Sequence, residues 1–353
     1  MQAKRAAVLK PLLSVVAVVV VVGLPELLLR ALGYQYESGV EFRIPEEDPS
    51  FITYQPDPHL LFKFDPAHPR VNSLGFPDGE VVLPKPPGVF RILFLGDSCT
   101  QQGYPGEVAA RLAETRGPDG PAFDSVTLAV AGYSSFQGRV IAERLAGGLE
   151  GDLAVVYFGW NDHWLANGAP DSKRIAVQTE LSRLERFVRS VHERSRLMQG
   201  LVQLQVGLRR WGDPVSSQLR VPIAEYRSNL EEIERRLRAL GMPVVLLTAP
   251  TSHYLFGAPA SLVQDRFAVD TDSVPRLHRA YNQIAREVAR ETGAALLDLE
   301  RDLFELSPRR LSRIFTDDGI HFSDDGIQFV SRRIARFLRE RGLVPSQAVS
   351  PPG

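Results

Sequence analysis

Two short polar blocks contain the residue types of nucleophilic catalysis. Ser98 lies in residues 96–100, which read GDSCT and directly follow the apolar segment 90–95. His321 comes three residues after Asp318, so both side chains can face the same side of a turn. A serine hydroxyl becomes a nucleophile when a histidine accepts its proton and a carboxylate orients that histidine. We therefore expect Ser98 to be the nucleophile, His321 the base and Asp318 the orienting acceptor.

Two further blocks supply candidate donors for an oxyanion hole. Gly132 follows the apolar segment 126–130, and a glycine there lets a backbone N–H approach a reacting oxygen closely. Asn161 follows the apolar segment 153–158 and offers an amide NH₂. These two groups and the Ser98 N–H, at the start of a helix, could together bind a negatively charged oxygen.

Each of these residues also has a purely structural interpretation. The GDS block could be a helix N-cap turn, Gly132 a simple turn residue and Asn161 an Asx-turn residue. His321 could pack locally beside the last helix, and Asp317 is an alternative orienting carboxylate with a less favourable spacing.

In this order the blocks resemble the SGNH hydrolase superfamily, also called GDSL-type esterases and lipases. The matching residues are 96–98 (GDS), Gly132, 159–162 (GWND) and 318–321 (DGIH), and the resemblance extends from about residue 90 to residue 343. It implies a flavodoxin-like sheet, a Ser-His-Asp triad and an oxyanion hole with three donors. The chain lacks a G-x-S-x-G elbow, which disfavours the α/β-hydrolase fold.

A second resemblance concerns residues 72–76, which read NSLGF. This segment is similar to one found in membrane-anchored bacterial members of the superfamily, some of which acetylate or deacetylate cell-surface polysaccharides. Those relatives often continue with Arg, whereas Pro77 stands at that position here.

Short apolar segments alternate with amphipathic stretches over residues 89–343. The apolar segments are continuous, which is typical of parallel strands that are covered on both faces; they are residues 90–95, 126–130, 153–158, 244–248 and 295–299. Helical periodicity lies between and after them, at residues 226–240, 277–291 and 326–341. This alternation predicts an α/β domain with three layers, α/β/α, around about five parallel strands.

Three regions stand outside that alternation. Residues 34–88 are rich in Pro, Asp and Glu, which predicts a loop-rich lead-in. Residues 165–222 combine many basic residues with an apolar patch, and we interpret them as a helical insertion with a solvated charged face. The alternative is a lid, or a surface for anionic lipid or polysaccharide. Residues 344–353 predict a disordered tail.

Residues 1–33 have the pattern of a membrane anchor. Three basic residues precede an apolar segment at residues 11–29, which is long enough to cross a bilayer if Glu26 lies near the headgroups. The positive-inside rule then predicts a single-pass protein of the inner (cytoplasmic) membrane whose catalytic domain faces the periplasm or exterior. A cleaved signal peptide ending at residues 31–33 is the second interpretation, and a buried core helix or strand is the least favoured.

Composition limits the partners. The chain is 44% apolar and 24% charged, as in globular proteins, and its net charge of −1 argues against a nucleic-acid binder. The single cysteine, Cys99, excludes a disulfide framework and is expected to be a buried packing residue. The histidines outside the site lack ligand spacing, so we expect no metal and no cofactor.

These observations predict a membrane-anchored serine esterase that removes an acyl or acetyl group, with an acylated polysaccharide or a lipid as possible ester substrates. An O-acyltransferase that modifies a cell-surface polysaccharide could use the same acyl-enzyme. Hydrolysis is favoured because neither residues 34–88 nor residues 165–222 contain a recognisable sugar-binding motif. A non-catalytic glycan-binding module is disfavoured, because a binder needs no Ser-His-Asp set.

Overall fold

The computed structural model describes residues 19–34, 54–116, 120–166, 168–174, 191, 194–201, 203–204 and 218–345. The chain divides into two compact units, Met1–Asp48 with Val177–Pro214 and Pro49–Ala176 with Val215–Gly353. Most of the predicted insertion, residues 11–18 of the predicted membrane span and residues 346–353 of the predicted tail lie outside the described residues.

The larger unit contains two sheets. The strands are β1 (Tyr54–Asp57), β2 (Leu61–Phe64), β3 (Val89–Gly96), β4 (Ala122–Ala129), β5 (Leu153–Tyr157), β6 (Val244–Leu247) and β7 (Ala295–Leu297). Strands β3 to β7 form a parallel sheet in the order β4-β3-β5-β6-β7, which is the flavodoxin-like order. All five predicted apolar segments are strands of this sheet, so the prediction of an α/β fold with a five-stranded parallel sheet is confirmed.

The central strand explains why the apolar segments are continuous. Residues 92–95 of β3 are completely buried, because helices cover both faces of the sheet. Leu95 pairs with Leu128 on one side and with Val156 on the other. The three strands therefore end at one edge of the sheet, and the Ser98, Gly132 and Asn161 blocks all follow at that edge.

The helices of the larger unit form two layers, as the periodicity predicts. Numbered in chain order, the helices are α1 (Leu24–Ala31), α2 (Ser98–Gln101), α3 (Tyr104–Glu114), α4 (Ser135–Arg144), α5 (Ile223–Ala239), α6 (His253–Phe256), α7 (Ser261–Gln264), α8 (Ser273–Thr292), α9 (Leu299–Phe304), α10 (Pro308–Leu311) and α11 (Asp324–Glu340). Helix α3 packs with α11, and α5 packs with both α4 and α8.

The segment 34–88, predicted to be loop-rich, contains regular structure. Strands β1 and β2 pair as an antiparallel hairpin, with Tyr54 opposite Phe64. The aromatic ring of Phe62 lies 5.3 Å from that of Tyr133, whose hydroxyl donates to the Phe62 carbonyl at 2.8 Å. The hairpin therefore packs on the residue that follows Gly132, and burial of its aromatic side chains outweighs the loop-forming composition.

Residues 72–76 form a tight turn. The buried Asn72 side chain accepts hydrogen bonds from the N–H groups of Leu74 and Phe76, both at 3.1 Å. Phe76 is fully buried, with its ring 6.4 Å from that of Tyr133. In this chain the NSLGF segment therefore closes on itself and packs against the same loop as the hairpin.

In the smaller unit, a π-helical turn at Val19–Gly23 leads into α1. Glu26, on α1, accepts hydrogen bonds from the Ser195 hydroxyl and from the N–H groups of Arg196 and Leu197, at 2.8–3.1 Å. Within the described ranges, no helix combines the length and the hydropathy needed to cross a membrane.

Candidate active site

Ser98, His321 and Asp318 form one hydrogen-bonded row. The distance from Ser98 Oγ to His321 Nε2 is 2.8 Å, and that from His321 Nδ1 to Asp318 Oδ2 is 2.5 Å. The side chains of His321 and Asp318 are 37% and 38% exposed, so the row opens to solvent and a substrate can reach it. This arrangement has the geometry of a nucleophile, its base and the group that orients the base.

Asp318, rather than the alternative Asp317, is the carboxylate that contacts His321. Its Oδ1 atom accepts hydrogen bonds from the hydroxyl of Thr316 and the N–H groups of Ile320 and His321, at 2.8–2.9 Å. These contacts occupy Oδ1 and leave Oδ2 for the imidazole. Asp317 is exposed, and no hydrogen bond joins it to His321 in the described part of the chain.

The electrostatics of the pair favour an ionised carboxylate. Burial raises the pKa of Asp318, but the hydrogen bond and charge of His321 and two backbone N–H groups outweigh it and hold that pKa well below its usual range. Burial lowers the pKa of His321, but its hydrogen bond to Asp318 and the charges of Asp318 and Asp97 raise it above the ordinary value of 6.5. His321 is therefore a stronger base than a free imidazole.

The turn that carries Asp318 is held by the residues that follow β6. The Thr251 hydroxyl and the Ser252 N–H donate to the Gly319 carbonyl at 2.9 and 3.2 Å. The Nε2 atom of His253 hydrogen-bonds to the Asp318 carbonyl at 2.6 Å, so that nitrogen carries the proton. Gly319 has a φ of +71°, and a Cβ there would lie 2.6 Å from the Ser252 hydroxyl, so only glycine fits.

Two glutamines that follow Ser98 join its turn to the segments that contain Gly132 and His321. The side chain of Gln102 exchanges two hydrogen bonds of 2.9 Å with the backbone of Phe322, beside His321. The side chain of Gln101 accepts from the Ala131 N–H at 2.7 Å, beside Gly132. Neither glutamine is among the site residues predicted from the sequence, although two adjacent amide side chains directly after the GDSCT block are a usable signal.

The candidate oxyanion donors lie at neighbouring strand ends. Gly132 has a φ of +87°, a conformation that favours glycine. Neither the Gly132 N–H nor the Ser98 N–H has a hydrogen-bond partner within the described residues. Asn161 Nδ2 donates one hydrogen to the Tyr133 carbonyl at 2.9 Å, which leaves the other hydrogen available. These three groups are therefore free to receive a negatively charged oxygen.

Asp162, the last residue of the GWND block, links the segments that follow β4 and β5. Its carboxylate oxygens accept hydrogen bonds from the N–H groups of Ser135 and Gly159, at 3.0 and 3.1 Å. Complete burial raises the pKa of Asp162 to about 7, although the Ser135 contacts oppose that shift. The Asn161 block is thereby fastened to the start of α4.

Two neighbours of Ser98 are buried. The Oδ1 atom of Asp97 accepts from the Cys99 N–H at 2.9 Å, whereas its Oδ2 atom has no partner among the described residues. Burial raises the pKa of Asp97 to about 7. Cys99 is also completely buried, which raises its thiol pKa well above the ordinary value. The prediction that Cys99 is a packing residue is confirmed.

His163 and Trp164, which directly follow the Asn161 block, are buried. His163 is 2% exposed, and its Nε2 atom lies 3.0 Å from Nδ1 of His278. The Trp160 ring stacks on His278 with ring centroids 3.7 Å apart. These four side chains pack against one another in the interior. Within the described part of the chain, no group of three or more His, Cys, Asp or Glu side chains is placed to hold a metal ion.

The family of the chain follows from a sequence comparison. The GDSL-like Lipase/Acylhydrolase family model matches residues 94–329, which is more than half of the chain and includes all five candidate site residues. The chain therefore belongs to the GDSL-like lipase and acylhydrolase family, and it is an ester-hydrolysing enzyme. Among curated proteins, no sequence matches it significantly.

Solved structures with a similar chain path include a lipase/acylhydrolase from Enterococcus faecalis, with 16% identity and a TM-score of 0.46 over 73% of this chain and 100% of that one. An acetyl xylan esterase has 15% identity and a TM-score of 0.45 over 70% of this chain and 100% of the other. A catalytic mutant of an acetylxylan esterase from Geobacillus stearothermophilus has 18% identity and a TM-score of 0.44, over 73% and 97% of the two chains.

Proposed function

We propose that the protein is a membrane-anchored serine esterase that removes an acyl or acetyl group through Ser98, His321 and Asp318. The observation that carries the proposal is the continuous row from Ser98 Oγ through the imidazole to the Asp318 carboxylate. A serine, a histidine and a carboxylate in this order and at these distances activate the hydroxyl for attack on an acyl carbon.

The reaction proceeds in two halves. Ser98 Oγ attacks the acyl carbon while His321 Nε2 accepts its proton, and the resulting oxyanion is bound by the N–H groups of Ser98 and Gly132 and the Asn161 amide. His321 then protonates the leaving alcohol, and an acyl-enzyme remains on Ser98. Water then attacks the acyl carbon and loses a proton to His321, which returns that proton to Ser98 Oγ as the acid is released. Asp318 stays ionised throughout and stabilises the imidazolium.

Hydrolysis of a short aryl ester tests this mechanism. Ser98→Ala should abolish turnover, and His321→Ala should be about as damaging, because the members of a triad act as a unit. Asn161→Ala should lower kcat on the order of 10²–10³-fold, the usual cost of one oxyanion donor. Cys99→Ala is the matched control, since it removes the adjacent nucleophile type and should leave turnover intact. Wild-type turnover in Ser98→Ala would refute the mechanism.

The acyl acceptor is tested by product partitioning. The same acyl-enzyme could acylate a sugar hydroxyl if an acceptor were held near the acyl carbon, because a bound acceptor has a large effective concentration over water. An acyl donor is supplied with and without a candidate polysaccharide, and free acid is measured against acylated glycan by mass spectrometry. Free acid as the main product supports the esterase. Acylated glycan that disappears in Ser98→Ala would support the O-acyltransferase.

The proposed anchor is the apolar segment 11–29, which follows the basic residues Lys4, Arg5 and Lys10. The acidic residue in that segment, Glu26, supports the proposal because its carboxylate is already bonded to Ser195, Arg196 and Leu197. C-terminal fusions to reporters that work only in the cytoplasm or only in the periplasm test the orientation. Activity of the periplasmic reporter is expected. An active cytoplasmic reporter, or release of the chain by salt washing, would contradict the proposal.

A further inference from the structure

We propose that Arg220 and Asp171 form a positioning ion pair that holds the Gly132 backbone in place for oxyanion binding. The inference rests on the proposed function of this site. The Arg220 Nη2 atom donates to the Gly132 carbonyl at 2.7 Å and to Asp171 Oδ2 at 2.7 Å. Its Nε atom donates to Asp171 Oδ1 at 3.2 Å. The Arg220 guanidinium thus joins the Asp171 carboxylate to the backbone of Gly132, whose N–H is a candidate oxyanion donor.

The burial of this pair argues that it does more than stabilise the fold. The Asp171 side chain is completely buried, and that of Arg220 is 14% exposed. Removing two charges from water costs free energy that their attraction often fails to recover, so a buried pair is a poor source of net stability. What the pair supplies is geometry, because a planar guanidinium donates in fixed directions.

The ion pair contacts the loop of residues 132–134, which carries the Gly132 N–H, at two points. Asp171 Oδ2 accepts a second hydrogen bond, from the Ser134 hydroxyl at 2.9 Å. Gly132 and Ser134 lie on either side of Tyr133, whose own carbonyl accepts from Asn161 Nδ2. Three consecutive residues of the loop are therefore each held by a polar side chain.

The backbone of Arg220 is fixed by the segment that follows Asn161, the residue whose side-chain amide is the third candidate oxyanion donor. The Arg220 N–H donates to the Trp164 carbonyl at 2.8 Å, and the Val221 N–H donates to the Asp162 carbonyl at 2.9 Å. The Asp171 N–H in turn donates to the Arg220 carbonyl at 2.9 Å. The ion pair consequently connects the Asn161 segment to the Gly132 loop.

A glycine needs such external support because it has no side chain to anchor it and its backbone is unusually free. The Ala131 N–H is held by Gln101, and the Gly132 carbonyl is held by Arg220. The free Gly132 N–H lies between these two fixed points. Donors that are fixed before the reaction stabilise the oxyanion without reorganising during it. Loss of Arg220 would leave the donor present but misplaced.

Steady-state kinetics with an aryl ester test the proposal. Arg220→Met should lower kcat by about 10²-fold, the scale expected for a misplacement of about 1 Å, and should change KM by no more than about twofold. Arg333→Met is the matched control, because it also removes a partly buried ion pair, with Asp302 on α9, far along the chain from Gly132. The control should keep its kcat even if its melting temperature falls. Wild-type kcat in Arg220→Met would overturn the inference.

Two further variants separate positioning from folding. Arg220→Lys keeps the charge but lacks the planar fork, so a smaller loss in kcat, about tenfold, is expected with a near wild-type melting temperature. In a double-mutant cycle, Arg220→Met should cost less in an Asn161→Ala background than in the wild type, because both act on one oxyanion hole. Fully independent effects in that cycle would overturn the inference.

The proposed function is tested separately in the same experiments. If Ser98→Ala retains activity, the triad mechanism fails, whatever Arg220 does. If Ser98→Ala is inactive while Arg220→Met and Arg220→Lys keep wild-type kcat, the mechanism stands and the positioning role fails. Inactivity of Ser98→Ala, together with a lowered kcat in both Arg220 variants and coupling to Asn161, supports both.

Discussion

Asp318→Asn removes one charge from the proposed triad with almost no change in shape. In the wild type, Oδ1 accepts from Thr316, Ile320 and His321, and Oδ2 accepts from His321 Nδ1. Three donors around Oδ1 select the amide oxygen of the new side chain for that position. The amide NH₂ then faces Nδ1, which must accept instead of donating.

This exchange reverses the tautomer of His321. With Nδ1 accepting, the proton resides on Nε2, which lies 2.8 Å from Ser98 Oγ and can no longer take its proton. The corresponding change of tautomer in a serine protease triad lowers kcat about 10⁴-fold. We expect a loss of the same size here, about 5.5 kcal/mol in transition-state stabilisation at about 1.4 kcal/mol for each factor of ten. Stability should change little, because the three contacts of Oδ1 remain.

The assay is hydrolysis of an aryl acetate at neutral pH, followed with purified wild-type and variant protein. Asp317→Asn is the matched control, because it removes the neighbouring exposed carboxylate, to which His321 forms no hydrogen bond among the described residues. The control should retain full kcat/KM. An Asp318→Asn variant within tenfold of the wild type, or an Asp317→Asn variant that is the more damaged of the two, would refute the assignment of Asp318.

Three other predictions follow from the site. The kcat/KM of the wild type should fall as the pH drops through the pKa of His321, which lies above 6.5, because a protonated imidazole cannot accept a proton. A flat pH profile of kcat/KM between pH 5 and 8 would contradict this prediction. Gly319→Ala should lower the free energy of unfolding by about 1–3 kcal/mol, measured in urea, because its Cβ would meet Ser252 at a φ of +71°. Gln102→Met should lower the free energy of unfolding by about 1–3 kcal/mol for each backbone group of Phe322 left unpaired, and should also lower kcat. Unchanged stability and activity would show that Gln102 does not hold the His321 segment in place.

The sheet was predictable because its strands are unambiguous in the sequence. Residues 92–95 are apolar without interruption and are completely buried, and strands β5 and β6 are apolar and buried along their whole length. The hairpin of β1 and β2 was missed because its strands are four residues each and one of them contains Pro56. Its stability comes from contact with Tyr133, which lies about 70 residues away along the chain.

The site was predictable where its chemistry is local. His321 and Asp318 are three residues apart, and Ser98 lies two residues after β3, so their types and spacing predict that the three meet at one site. The supporting residues could not be found in this way. Arg220 and Gly132 are 88 residues apart, and Gln102 and Phe322 are 220 apart. Arginine and glutamine are common surface residues, and only the fold shows which of them reach the catalytic loops.

The central claim is that Ser98 carries the acyl group during turnover. The most direct measurement is mass spectrometry of peptides from the protein after reaction with a fluorophosphonate, which reacts with activated serine hydroxyls. The account predicts a single modified residue, Ser98, and no labelling in the Ser98→Ala and His321→Ala variants. Modification of another residue, or labelling of Ser98→Ala at the wild-type rate, would contradict it.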